Sequence, residues 1–284
     1  MSWREVTESD LGWIEVFLRD HLQSSMFFLS SLADHGLGGA EPRALRVWAL
    51  EGDQPGLFAL SNEGGILLQA PDAQAADWAA TAPFWQGRPL VGCLGESTQV
   101  AAFLAVSGLD QRPMSLNGAE PGYRLALTAL RLPACDGLTL IPLSEAPRSL
   151  IESWRVDYHR TVMGTPEHAR AAAAQNDIAG YLARDSHRVV MRGDVPVAMS
   201  GFNATLPDVV QIGGVYTPPE LRGQGLARRS VALHLAEARD RGVTHSVLFA
   251  ASPQAARAYE AIGFERNGSF SMMMFHSEES PANG

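Results

Sequence analysis

The sequence predicts an α/β protein of two units, each a mixed, largely antiparallel sheet flanked by helices. Three observations carry this. Short apolar segments broken by Gly, Pro and Asn recur at residues 46–71 and again at 187–217, the pattern of consecutive antiparallel strands. Apolar residues at helical spacing precede the first of these sets, and two helical stretches precede the second. At 284 residues the chain exceeds the usual length of one domain, so two domains, 1–140 and 141–284, are expected.

In order along the chain, Leu11, Ile14, Val16, Phe17 and Leu18, then Leu22, Met26, Phe27 and Leu29, predict one or two amphipathic helices. RVWALEG, GLFALSNEGG and GILLQAP read as a meander of three strands. Residues 72–86 and 97–106 read as helices, and YRLALTALRLP alternates as a strand that Pro133 ends. IPLSEAP, with its two prolines, is expected to be a linker. Helices at about 148–160 and 166–184 follow, the second favoured by its run of Ala. HRVVMRG, VPVAMSGFNA and VVQIGGVYT are three strands, the first pair joined by a tight turn at Gly193 and Asp194. PPELRGQGLARRSVALHLAEARDRG is a Gly-containing loop feeding a helix stopped at Gly242. VTHSVLFA, SPQAARAYEAIGF and SFSMMMF close the second half as strand, helix and strand.

Composition removes several function classes. All 22 basic residues are Arg and none is Lys, which excludes a Lys-dependent phosphate loop, a Schiff-base lysine and a kinase-type strand lysine. The hydrophobic share of 46% with 19% charged residues is that of a folded globular protein rather than a disordered one. Residues 1–140 hold 8 Arg against 16 Asp and Glu, and residues 141–284 hold 14 against 15. The first half therefore carries most of the net charge of -9, and an acidic chain without a basic cluster is a poor partner for nucleic acid. Cys93 and Cys135 are too few for a Cys-rich zinc site. The acidic start MSWREVTESDLGW is unlike a signal peptide, and no apolar run reaches 18 residues. A cytoplasmic protein without metal or membrane attachment, monomeric or homodimeric, is the expectation.

The chemistry is concentrated in VYTPPELRGQGLARR. Gly223 and Gly225 allow a tight turn that aims successive amides at one point, directly before a helix N-terminus whose dipole favours an anion. Arg222, Arg228 and Arg229 add positive charge at the same end. Pyrophosphate fits such a loop.

The run Arg222–Gly223–Gln224–Gly225–Leu226–Ala227, after a strand and before a helix, and the later Tyr259–Glu260–Ala261–Ile262–Gly263–Phe264 resemble the GNAT superfamily of acyl-CoA-dependent N-acyltransferases over about residues 148–275. The resemblance implies the GNAT fold and acetyl-CoA as co-substrate, with an amine as acceptor. It implies that backbone groups of Val215, Tyr216 and Thr217 line the pantetheine arm. Arg222 and the amides of Gly223, Gln224, Gly225, Leu226, Ala227 and Arg228 would hold the pyrophosphate. It also implies that the Tyr259 hydroxyl protonates the leaving thiolate. Where the family often has Asn, seven residues before this Tyr, the chain has Ser252, which can also cap a helix. The family's Glu on the motif strand is missing from VVQIGGVYT, so Asp208, Glu220 and His245 stand as alternative bases. The paired Gly213 and Gly214 suit a bulge in that strand. The first half, lacking both motifs, looks like a degenerate copy of the same fold, packing against the second and walling an acceptor cleft; Trp154 and Tyr158 either shape a pocket or serve the core. The reaction implied is acetyl transfer to a primary amine of a small molecule; the alternatives are a protein N-acetyltransferase and a non-catalytic acyl-CoA-binding regulator.

Overall fold

A computed structural model describes residues 2–52 and 54–276. The chain opens with β1 (Trp3–Glu5), helices α1 (Leu11–Asp20) and α2 (Leu22–His35), and the meander β2 (Leu45–Leu50), β3 (Gly56–Ser61) and β4 (Gly65–Gln69). Short helices α3 (Ala75–Ala79) and α4 (Ala82–Trp85) lead to β5 (Gly92–Glu96), α5 (Ser97–Ser107) and the long β6 (Met114–Ala126). Next come β7 (Leu138–Pro142), α6 (Arg148–Thr161), α7 (Glu167–Ala183), β8 (His187–Arg192), β9 (Val195–Thr205), β10 (Val209–Tyr216) and α8 (Leu226–Asp240). The last elements are β11 (His245–Phe249), α9 (Pro253–Glu260) and β12 (Glu265–Phe275).

Contacts divide the chain into two units, but not at residue 140. One takes the chain as far as Glu120 together with the segment from Gly268 onward; the other is Pro121–Asn267. Strand pairing explains the difference. Residues Gly122–Ala126 of β6 pair antiparallel with β11, and Phe270–Met274 of β12 pair antiparallel with β5. The alternating segment YRLALTAL thus gives Tyr123–Ala126 to a strand of the second unit and turns into a 3-10 helix at Leu127–Ala129, and SFSMMMF is a strand of the first.

In the first unit β1 to β4 pair antiparallel in sequence order and β4 pairs parallel with β5. The apolar core is aromatic: Phe58 and Phe103 are fully buried, and Trp48, Trp78 and Trp85 nearly so. Phe103 meets Phe58 at 5.8 Å and Trp85 edge-on at 6.0 Å, separations at which ring quadrupoles attract.

The second unit orders its strands β6-β11-β10-β9-β8-β7, antiparallel except for β10 with β11. Helix α8 buries Val231 and Leu235 against Val210 and Ile212, and Leu226 against Val190 and Val197. Helices α6 and α7 bury Ile151, Trp154, Ile178 and Tyr181 against Val189, Met199 and Tyr216. The expected linker is in part an edge strand, because Leu138–Pro142 pairs with β8. Pro142 ends it, where a missing N–H breaks no ladder. Arg188 of β8 is 2% exposed and is held by Glu237 of α8 at 2.8 Å and Asp185 at 2.8 Å, so helix and sheet are joined by ions as well as by apolar contact.

Candidate functional site

The site is built where β10 leaves its neighbours. Its parallel ladder with β11 runs from Val209↔His245 to Gln211↔Val247 and ends there, although β10 continues to Tyr216. On its other edge, pairing with β9 slips between Gly213↔Gly201 and Tyr216↔Met199. Gly214 sits in that slip at φ +60°, a left-handed conformation that other residues adopt only at a cost. From Ile212 to Tyr216 the β10 backbone therefore has no ladder partner on β11.

After β10 a 3-10 turn at Pro219–Leu221 brings in Arg222, whose Nε donates to Thr217 O at 3.1 Å. Gly223 at φ +79° and Gly225 at φ +70° make the turn into α8, with Gly225 as its N-cap. The cap has no side chain to satisfy the first amides, so those donors are left for a ligand or water. Arg229 holds the loop in place: its Nη1 donates to Gln224 O at 2.7 Å and its Nε to Ala134 O at 2.8 Å. The Gln224 side chain accepts from Arg192 at 3.2 Å. Leu226 is buried under the loop. Thr217 Oγ1 and Arg228 Nε are buried polar atoms without a partner. Unmet donors beside an open helix N-terminus fit a phosphate-bearing group.

Tyr216 points the other way, towards α6. Its hydroxyl donates to Asp157 Oδ2 at 2.9 Å and its ring lies 5.6 Å from Trp154. Asp157 also accepts from Arg160 at 2.5 Å, and that bond, with help from Tyr216, keeps its carboxyl below the usual carboxylate range. Burial and Asp157 together push Tyr216 up to about 12. Near neutral pH the pair is therefore phenol and carboxylate, which fixes the strand end and moves no proton. Behind it, Asp177 of α7 accepts from Arg155 Nε at 2.6 Å and lies 2.9 Å from His159 Nε2, whose Nδ1 is 2.9 Å from Thr165 Oγ1. This cluster ties the loop between α6 and α7 to both helices. Trp154 is a core residue, and Tyr158 carries the Arg155 guanidinium 4.4 Å from its ring centre.

Ser252 caps α9, its hydroxyl accepting from Ala255 N at 3.2 Å, with Pro253 in the first turn. Tyr259 is 7% exposed and packs in the core cluster with Tyr123 and Phe264. Of the three alternative bases, two stand at the far end of β10 from the Arg222–Gly225 loop. Asp208 and His245 flank the start of the β10–β11 ladder, where Asp208 O accepts from His245 N. Seven residues of strand, about 23 Å, separate Asp208 from Val215. Glu220 is exposed in the 3-10 turn.

One residue at the bulge escaped the sequence reading. His187 is fully buried, stacked on Tyr181 with ring centres 3.5 Å apart, and its Nδ1 lies 2.9 Å from Ser186 Oγ. Its Nε2 has no partner. A Cβ on Gly201 would lie 2.1 Å from that nitrogen and one on Gly214 2.6 Å from it. The imidazole therefore occupies the space that two glycines vacate, and Asn203 does the same over Gly213, where a Cβ would lie 1.9 Å from its amide nitrogen. Gly201→Ala should destabilise the protein by about 1–3 kcal/mol through overpacking, and His187→Ala in the same chain should recover most of it. Urea unfolding of the single and double variants checks this; equal losses in both would mean that His187 does not set the requirement for glycine.

Residues 148–264 match the family model "Acetyltransferase (GNAT) family". They form a GNAT acetyltransferase domain. No curated protein gives a significant match. The whole chain is similar in structure to a tandem GNAT protein from the clavulanic acid biosynthesis pathway, at 14% identity over 98% of this chain and 99% of that one, with a TM-score of 0.56. It is also similar to an acetyltransferase from the GNAT family of Colwellia psychrerythraea, at 14% identity over 97% and 100%, with a TM-score of 0.53. At such identities the likeness is one of fold, and it extends through both units. The unpaired end of β10 and the loop at Arg222–Gly225 lie inside residues 148–264. Among the described residues no helix is long and apolar enough to cross a membrane, and no group of three or more acidic, His or Cys side chains is placed to hold a metal.

Proposed function

We propose that the GNAT domain transfers acetyl from acetyl-CoA directly to a primary amine, that of a small molecule in preference to a protein. The observation that carries this reading is the open N-terminus of α8 beside the end of the β10–β11 ladder, with Thr217 Oγ1 and Arg228 Nε unpartnered. Acetyl-CoA, when bound, supplies the thioester. The amides after Gly223, together with Arg228, would take the pyrophosphate, and the diverging backbone at Val215 and Thr217 the pantetheine arm. The Val215 or Tyr216 amide offers a fixed donor where charge develops on the acyl oxygen. Tyr259 is assigned the proton for the departing thiolate. No carboxylate of β10 serves as base, and an amine with a pKa of roughly 8 is already partly neutral near pH 7, so the acceptor reaches the site in reactive form without one. The acid-rich first half, 8 Arg against 16 Asp and Glu, would attract a cationic acceptor.

One observation favours a non-catalytic acyl-CoA-binding protein instead: the Ser252 hydroxyl, at the position where Asn often serves the cofactor, is used by the α9 cap. Tyr259→Phe separates the two readings. Acetyl-CoA affinity is expected within about twofold of the parent, while amine-dependent release of CoA thiol falls at least tenfold. Unchanged thiol release would take Tyr259 out of the mechanism, and no release by the parent with any amine of a broad panel would leave the binding protein standing.

A further inference from the structure

We propose that the first unit holds a second, separate ligand site, at the carboxyl ends of β4 and β5, for a small phosphate-free organic cation that presents an oxygen acceptor. A cavity of about 500 Å³ opens there, lined by Gln69, Glu96, His21, Ser24, Trp78 and Ala102 among others. The parallel ladder ends at Leu68↔Gly95, so Gln69 and Glu96 are the next residues on adjoining strands. β4 leads into α3 and β5 into α5, and Trp78 of the one meets Phe103 of the other edge-on at 5.9 Å, so both helices flank the cavity from one face of the sheet.

Gln69 is 1% exposed. Its Oε1 accepts from Ser24 Oγ at 2.7 Å and Ser25 Oγ at 3.2 Å, and its Nε2 is buried without any acceptor. A buried amide nitrogen is seldom left so, and an oxygen of a ligand in the cavity would complete it. Anions are a poor match for the rest of the lining. The N-terminus of α5 is already filled by the Glu96 carboxylate, which accepts from Thr98 N at 2.9 Å and Gln99 N at 3.3 Å. The N-terminus of α3 is filled by Asp77, which accepts from Gln74 N at 2.9 Å. The loop between β4 and α3 reads Ala70-Pro71-Asp72-Ala73-Gln74, with an acid and no glycine where the GNAT domain has Arg222–Gly225. No Arg lines the cavity. Glu96 thus provides a negative wall, Gln69 and Ser24 the polar floor, and Trp78 and Ala102 the apolar surface for a carbon skeleton. An amino sugar or amino alcohol has this combination of groups. The site is one of binding alone and does not depend on acyl transfer by the other unit.

The test uses the whole chain with 15N-labelled tryptophan, following the indole resonance of Trp78, identified by its loss in Trp78→Phe. Glucosamine is expected to shift that resonance saturably, while propylamine, which has no oxygen, needs at least tenfold more to do so. Gln69→Leu should weaken the glucosamine response at least tenfold. Ala102→Trp, a change on the exposed part of α5 that fills the mouth, should abolish it while adding one indole resonance of its own and leaving those of the other tryptophans in place. An unmoved Trp78 resonance, an equal response in Ala102→Trp, or displacement of glucosamine by 3′,5′-ADP would each overturn the proposal.

Discussion

Gly225→Asp is expected to weaken acetyl-CoA binding at least tenfold while leaving the fold intact. Gly225 is the N-cap of α8 at φ +70°. Asp is one of the few side chains that enter the left-handed region and is also a favoured N-cap, so the helix should still form. The loss would come from charge. Two unit charges 4 Å apart interact by about 4 kcal/mol at an effective dielectric of 20, and even half of that exceeds the roughly 1.4 kcal/mol that equals a factor of ten. A Cβ here would stand 3.1 Å from Arg229 Nη1 and 3.4 Å from Arg228 Nε, so the new carboxylate would also divert the cations from the phosphates. Calorimetric titration of acetyl-CoA into the parent, Gly225→Asp and the neutral control Gly225→Asn checks it. Asn should fall between the two; parent-like affinity in the Asp variant would remove the loop from cofactor binding.

What was legible in the sequence is what is local. The α8 helix could be read because its apolar stripe, its glycine entry and its Gly242 exit all lie within 20 residues, and Gly242 does take φ +99°. The alternation in YRLALTAL is legible as a strand start for the same reason: Tyr123 and Leu125 are buried while Arg124 and Ala126 are exposed. Its partner could not be read, because alternation fixes a face and not a neighbour: the strand pairs with His245–Phe249, some 120 residues on. Proximity in sequence to VVQIGGVYT likewise does not say at which end of the strand a residue stands: Asp208 and His245 flank its start. His187 gave no signal at all. It is one letter in an apolar strand, and what makes it notable is its approach to Gly201 and Gly214, which only the register of three strands brings about.

Acid should destabilise the protein steeply from about pH 6.5 downwards, and two buried histidines are the reason. Burial, reinforced by Arg188 and Arg241, pushes His234 down to about 3. Burial first, then the nearby His234 and arginines, holds His187 well below the usual histidine value. His234 is 2% exposed, stacked on Phe202 at 3.9 Å, with Ser200 Oγ 3.3 Å from its Nδ1. The unfolded chain takes up protons on both rings near 6.5, whereas the folded chain keeps His234 neutral until about pH 3. The unfolded state therefore binds more protons across this window, so stability rises with pH and is lost on acidification. One proton per group corresponds to about 1.4 kcal/mol per pH unit, and the two together to nearly 3. His234→Gln should be less stable than the parent at pH 8, because a polar amide replaces a packed ring, yet lose only about half as much per unit between pH 6 and 5. Urea unfolding at those three pH values decides the matter. An undiminished slope in His234→Gln would show that the proton uptake belongs to other groups; the Asp157 and Asp177 carboxylates, with their depressed values, contribute only below about pH 4 and lie outside that window.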